Sequence, residues 1–141
     1  MFEIREIQNS GEYNPLSIDN NAPFTQAWFY GEWQEMMSRK VGRFEITDNS
    51  KIIGYFQVIK YPLVFGWNIL YIPHGPVLKK INSYDEFLKI FREKLIQIAK
   101  EENAIFARFD LYLPSRNLGE SGLAINKYFC KVPSYAYHSV Y

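Results

Sequence analysis

The sequence predicts a mixed α/β domain: a mostly antiparallel sheet with one parallel crossover pair and helices on both faces. Three observations lead there. Lys51 to Tyr61 is strand-like and apolar on both faces, as in a sheet covered on both sides. A strongly amphipathic segment, Ser83 to Glu101, lies between two strand-like segments, Trp67 to Ile72 and Ile105 to Leu111. That order makes a crossover unit, whose strands run parallel with a right-handed connection. Finally, 141 residues with 48% apolar and 22% charged composition suit one globular domain, residues 1–141, with a core of its own.

In chain order, Phe2 to Ile7 alternates and reads as a strand. Asn9 to Asn21 is polar, contains Gly11 and Pro15, and reads as a loop. Pro23 and Thr25 then open a helix, with Thr25 as its cap. Trp28, Phe29, Trp33, Met36 and Met37 recur at helical spacing, and the tryptophans and methionines are expected on the core side. Arg43 to Thr47 is a strand turned by Asp48-Asn49-Ser50. In the following strand, Ile52, Phe56 and Val58 are expected on one face and Ile53, Tyr55 and Ile59 on the other. The helix from Ser83 carries a capping box with Glu86, and its apolar stripe is Tyr84, Phe87, Leu88, Phe91, Leu95, Ile98 and Ala99. In the strand after it, Ile105, Ala107, Phe109 and Leu111 face one way and Phe106, Arg108 and Asp110 the other. A loop, a short helix ending near Phe129 and a last strand, Tyr135 to Tyr141, complete the order.

Between the third strand and the long helix stands "IPHGPV", Ile72 to Val77. Its two prolines cannot donate to a sheet ladder, so the strand ends in a rigid elbow. Ligands of parallel strands gather beyond their carboxyl ends. The elbow and the Asp110 end of the next strand share that edge, which puts Tyr71, His74 and Asp110 on one cleft. The elbow residues Tyr71, His74, Gly75 and Pro76 are either a lip that touches substrate or a turn required by packing. His74 is a candidate proton shuttle, although no carboxylate or cysteine is near it in sequence. Arg108 and Asp110 lie on one strand face, about 7 Å apart along it. Asp110 either holds and deprotonates an attacking amine or forms a structural ion pair with Arg108.

Other classes lose support. A net charge of +1 over the chain gives no basic footprint for DNA and predicts no strong attraction to nucleic acid or to a membrane. Cys130 is alone, so neither a disulfide framework nor a cysteine metal site forms within the chain. The first residues lack the pattern of a secretory signal, and no apolar stretch approaches the ~20 residues of a membrane span, so a cytoplasmic location is expected. No metal, Walker, dinucleotide or nucleophile-elbow motif occurs, and no resident cofactor or metal is expected.

The element order resembles the acetyltransferase-like (GNAT-type) fold. "PFTQAWFYGEW", "YIPHGPV" and "ARFDLYLP" together resemble the N-terminal half of the FemABX aminoacyltransferases. The matching residues are Thr25-Gln26 with the tryptophans that follow, Tyr71 with Gly75-Pro76-Val77, and Arg108 with Asp110. His74 stands where that family prefers Arg or Lys, Leu111 where it has Pro, and Glu32 where it often has Lys. The resemblance implies transfer of an amino acid from aminoacyl-tRNA, as co-substrate, to an amine of a peptidoglycan precursor. It implies Asp110 as a catalytic candidate, and Tyr71, His74, Gly75, Pro76 and Arg108 as substrate-binding candidates. It covers about half of the family's catalytic region, and so implies a second GNAT-like subdomain or a homo-oligomer as partner. Two alternatives stand beside it: a self-sufficient N-acetyltransferase using acetyl-CoA, and a non-catalytic binding or assembly module. "RNLGESG", Arg116 to Gly122, is a near match to the acetyl-CoA loop of GNAT enzymes, set apart from its strand by a polar spacer.

Overall fold

The sheet grows outward from its longest strand, which is apolar on both sides and needs cover on both. The computed structural model describes residues 1–110 and Tyr112. Its elements are β1 (Phe2–Glu6), α1 (Trp28–Met36), β2 (Lys40–Asp48), β3 (Lys51–Pro62), β4 (Asn68–Ile72), β5 (Val77–Leu78), α2 (Tyr84–Glu101) and β6 (Ala104–Phe109). The sheet order is β1-β2-β3-β4-β6, and β5 pairs separately with β3. Pairings are antiparallel except β4 with β6, the crossover pair joined by α2. Gly54 to Ile59 of β3 is buried throughout, as a strand covered on both faces should be.

The long helix forms as its sequence directs. The Ser83 hydroxyl accepts from Glu86 N–H at 3.3 Å and caps the first turn. Tyr84, Phe87, Leu88, Phe91, Leu95 and Ile98 are buried, while Asp85, Lys89, Arg92 and Lys100 are exposed. This stripe packs on Phe44, Ile46, Phe56, Val58, Leu70 and Ile72 of the sheet. Phe56 meets the Phe91 ring edge-on with centroids 5.3 Å apart, a favoured aromatic geometry.

Two strand registers depart from simple alternation. Ile46 pairs with Gly54 but Thr47 pairs with Ile52, so Ile53 is an extra residue. The bulge moves Ile53, not Ile52, to the face of Phe56 and Val58, and Ile52 becomes exposed. Likewise Asn68 pairs with Ala104 but Ile69 with Phe106, which leaves Ile105 as an extra, exposed residue. Ala104, Ala107 and Phe109 supply the core side of β6. β2 is also longer than the sequence suggests, running from Lys40 rather than Arg43.

The first helix differs most from expectation. Thr25 does not cap it: Phe24–Gln26 is a separate 3-10 turn, and Ala27 precedes the helix without a side-chain cap. The stripe expected in the core points outward, with Trp33 52% and Met36 84% exposed, and Phe29 and Met37 exposed as well. The buried positions of α1 are Gly31 and Gln34. The cause lies in the sheet beneath, where this face offers the buried polar side chains Arg43, Glu45 and Gln57. A polar bed takes the smallest and most polar helix residues. The Arg43 guanidinium stacks 3.8 Å above the Trp28 ring and bonds Glu35 at 3.3 Å, tying α1 to β2. Trp28 itself packs in a small second cluster with Ile7, Tyr13 and Tyr55. The helix ending near Phe129, the strand Tyr135 to Tyr141, Leu111 and the loop Arg116 to Gly122 lie outside the described residues.

Candidate substrate site

At the elbow the sheet loses a strand partner and recovers it a few residues later. β4 is last paired with β3 at Tyr71–Ile59, and β5 rejoins β3 at Val77–Tyr55. Between these points Gln57 has no strand neighbour on that side, yet its backbone N–H is buried and must be satisfied. A side chain from a distant segment fills the gap. The Gln57 N–H donates to Gln26 Oε1 at 2.9 Å, and Gln26 Nε2 donates to the Pro73 carbonyl at 2.6 Å. The Gln26 amide therefore stands in for one peptide unit of the missing strand.

The rest of the unit locks that amide in place. Tyr13 OH donates to the same Gln26 Oε1 at 3.4 Å. Burial pushes the Tyr13 hydroxyl well above its ordinary value, against a smaller lowering by Arg43, so it remains a donor. Gln57 Nε2 donates to the Thr25 and Ala27 carbonyls at 2.7 and 3.0 Å and fixes the turn that carries Gln26. Thr25 Oγ1 donates to Pro73 O at 3.2 Å and lies 3.1 Å from His74 Nδ1. A Cβ on Gly75 would come within 2.8 Å of the Gln26 amide, so the close approach needs glycine there. The Gly75–Pro76 peptide is cis.

The second half of the site comes from β4 and β6. Tyr71 pairs in register with Arg108, and Tyr71 OH donates to Asp110 Oδ2 at 2.7 Å. Arg108 Nε lies 3.8 Å from Asp110 Oδ1, and the Arg108 guanidinium sits 5.7 Å from the Tyr71 ring centroid. The Asp110 side chain is 11% exposed. Asp110 N–H donates to the Ile72 carbonyl at 3.3 Å, directly before the elbow. Past the elbow, Val77 and Tyr112 form a further parallel bridge, so the chain takes five steps from Ile72 to Val77 against three from Phe109 to Tyr112. The elbow is thus a two-residue excess, pushed out of the sheet between two points where the strands hold together.

The six residues singled out in the sequence fall into two linked groups. Tyr71, Arg108 and Asp110 form one bonded cluster. His74, Gly75 and Pro76 form the elbow, where His74 is exposed, left-handed at φ 50° and bonded to Thr25, while Gly75 and Pro76 are buried. The Ile72–Pro73 backbone joins the groups, since Asp110 binds one carbonyl and Thr25 and Gln26 the other. Sequence reasoning missed Gln26 and Gln57 as organisers of the site. The available signal was Gln57 itself, a polar residue inside a doubly apolar strand that demands a buried partner.

A hollow of about 170 Å³ lies between α2 and the sheet, lined in part by Lys40, Lys60, Lys94 and Glu102. Its carboxylate is already shared: Glu102 pairs with Lys40 and, at 2.9 Å, with Lys60. It stands at the opposite end of β4 and β6 from Asp110, because Asn68 N–H bonds Asn103 O beside it. Among the described residues no group of three or more His, Cys, Asp or Glu could hold a metal ion. Among them, too, no helix is long and apolar enough to cross a membrane.

No protein-family profile matches the chain, and no curated protein matches it. Solved structures do. FemX superimposes with a TM-score of 0.71 at 17% identity, covering 89% of this chain and 31% of that one. The chain thus spans about a third of FemX. A ribosomal-protein-alanine N-acetyltransferase from Brucella melitensis biovar Abortus 2308 gives a TM-score of 0.62 at 12% identity, covering 94% and 93% of the two chains. The aminoglycoside N-acetyltransferase AAC(6')-Iy, solved with CoA, gives 0.60 at 11% identity, covering 94% and 90%. The fold is that of the GNAT-type acyltransferases.

Proposed function

We propose that this domain works in acyl transfer of the FemABX kind, moving an amino acid from aminoacyl-tRNA to an amine of a peptidoglycan precursor in the cytoplasm. One observation carries the reading. Three segments that resemble that family, far apart in sequence, meet in a single hydrogen-bonded unit: Thr25-Gln26 on the elbow, the elbow itself, and Asp110 on Tyr71. The fold likeness to FemX supports it.

The chemistry asks little of the protein. The acceptor amine attacks the ester carbonyl of the aminoacyl-tRNA, an amide C–N bond forms, and the ester C–O bond breaks. The amine proton leaves and the ribose oxygen gains one. The ester is already activated, so positioning supplies much of the rate. Asp110 is the group that would hold the amine and accept its proton. A carboxylate has about four acceptor sites, so one that receives Tyr71 can also receive an ammonium. His74 projects from the elbow where a substrate would pass. Gly75 and Pro76, being buried, shape that lip from within. A precursor that extends beyond the elbow and Asp110 calls for a second GNAT-like subdomain or a second copy of the chain.

A specific observation favours a second reading, N-acetylation with acetyl-CoA: the chain covers nine-tenths of self-contained acetyltransferases, one of them solved with CoA. A transfer assay separates the two. The full chain is mixed with an amine-bearing precursor and offered labelled aminoacyl-tRNA or labelled acetyl-CoA. Transfer from the tRNA, lost in Asp110→Asn, is the expected result. Transfer from acetyl-CoA alone would establish the second reading.

A further inference from the structure

The turn between β3 and β4 is built against the usual logic of a hairpin. Leu63 N–H bonds Trp67 O at 2.7 Å and closes a tight connection. Inside it Phe65 and Gly66 are both left-handed, at φ 59° and 76°. Such a turn favours Asn-Gly, because asparagine tolerates this backbone and water. Here the first position is a phenylalanine, strained in its backbone and 95% exposed, so neither the turn nor the core gains from it. Leu63, Val64 and Trp67 are exposed around it, and Met36 and Met37 end α1 on the same side, just before β2 starts beside the end of β3.

The charges behind this tip lean the other way. Arg39 stacks 4.4 Å from the Tyr61 ring centroid, at the base of the turn. Lys40 and Lys60 pair across β2 and β3 and share the single carboxylate of Glu102. Two cations on one carboxylate leave a surplus of positive charge where β2 starts beside the end of β3. A convex apolar loop with an exposed Trp and Phe, backed by cations, matches the interface of an anionic lipid surface: aromatic side chains settle among headgroups and basic ones meet phosphates. Tyr112, the last described residue, lies at the opposite end of the sheet, beside Val77.

We propose that Leu63–Trp67 is a membrane-surface docking loop, with Phe65 and Trp67 inserting and Arg39 and Lys40 contacting anionic headgroups. The inference is independent of which acyl donor the domain uses. The test is co-sedimentation of the full chain with vesicles of phosphatidylcholine and phosphatidylglycerol, set beside phosphatidylcholine alone. The chain should bind the mixed vesicles, and less of it the neutral ones. Phe65→Asn should lower partitioning about tenfold, the effect of removing one buried phenyl ring. The same change should leave the melting temperature equal or higher, because asparagine suits the turn. Absence of the wild-type chain from the vesicle pellet would overturn the proposal, as would undiminished binding by Phe65→Asn. Self-association by light scattering that vanishes in Phe65→Asn, without vesicle binding, would assign the loop to a second copy and overturn it too.

Discussion

Gln26 and Gly75 touch across 49 residues of sequence, and each explains the other: the glutamine amide occupies the space a side chain at position 75 would need. Through that contact a side chain completes a sheet that the elbow interrupts. Gly75→Ala should therefore destabilise the chain by about 1–3 kcal/mol, the usual effect of forcing a methyl into a packed site. Gln26→Leu should cost about 2–4 kcal/mol, since it strands the buried Gln57 N–H and the Tyr13 hydroxyl and leaves the Pro73 carbonyl with Thr25 alone. Denaturant titrations of both variants check this. Two wild-type midpoints would show that the amide is dispensable.

The two faces of α1 should respond in opposite ways. A Cβ on Gly31 would run into the Arg43 guanidinium and the Gln57 side chain, so Gly31→Ala should destabilise despite alanine's higher helix propensity. Met36→Ser, at a position 84% exposed, should change stability by no more than about 0.5 kcal/mol. Thermal melts of the two variants read the contrast directly, and a larger loss in Met36→Ser would place the apolar stripe in the core after all.

That contrast also shows what was legible in the sequence. The long helix, its cap and the parallel pair could be read because their apolar spacing matches what the core requires. Gln57 was the exception inside an apolar strand, and it reverses the reading of α1: a polar bed calls for Gly31 and Gln34 and turns Trp33 and Met36 outward. The bulges at Ile53 and Ile105 were beyond reach, because one extra residue changes which face is buried without changing the apolar pattern. At the site, the closeness of Tyr71 and Asp110 could be read from their positions in the crossover unit. The Gln26 bridge could not, since nothing local links residues 26, 57 and 73.

Acid should weaken the chain partly through Glu102. Burial alone would raise its carboxyl, but hydrogen bonds and charge from Lys40 and Lys60 outweigh that and hold it below the ordinary value. A depressed carboxyl stabilises the folded state above its unfolded pKa, about 4.3, and the contribution disappears as pH falls through the lower folded value. Because Lys40 is largely exposed, the effect should be about 1 kcal/mol or less. Urea titrations from about pH 6 to about pH 3 should show a shallower decline in Glu102→Gln than in the wild type. Parallel declines would assign the acid sensitivity to other carboxyls.

The most direct test of the account asks which acyl donor meets the elbow. In an isotope-labelled sample of the full chain, amide resonances of His74, Gly75 and Asp110 are followed while a non-hydrolysable aminoacyl-adenosine amide, the tRNA end in miniature, is added. Coenzyme A is titrated in a second sample. Concentration-dependent shifts of these three amides are expected with the aminoacyl compound, and a weaker response in Tyr71→Phe, where the hydroxyl that holds Asp110 is gone. Unmoved elbow and Asp110 amides with the aminoacyl compound, together with saturable shifts on addition of coenzyme A, would contradict it.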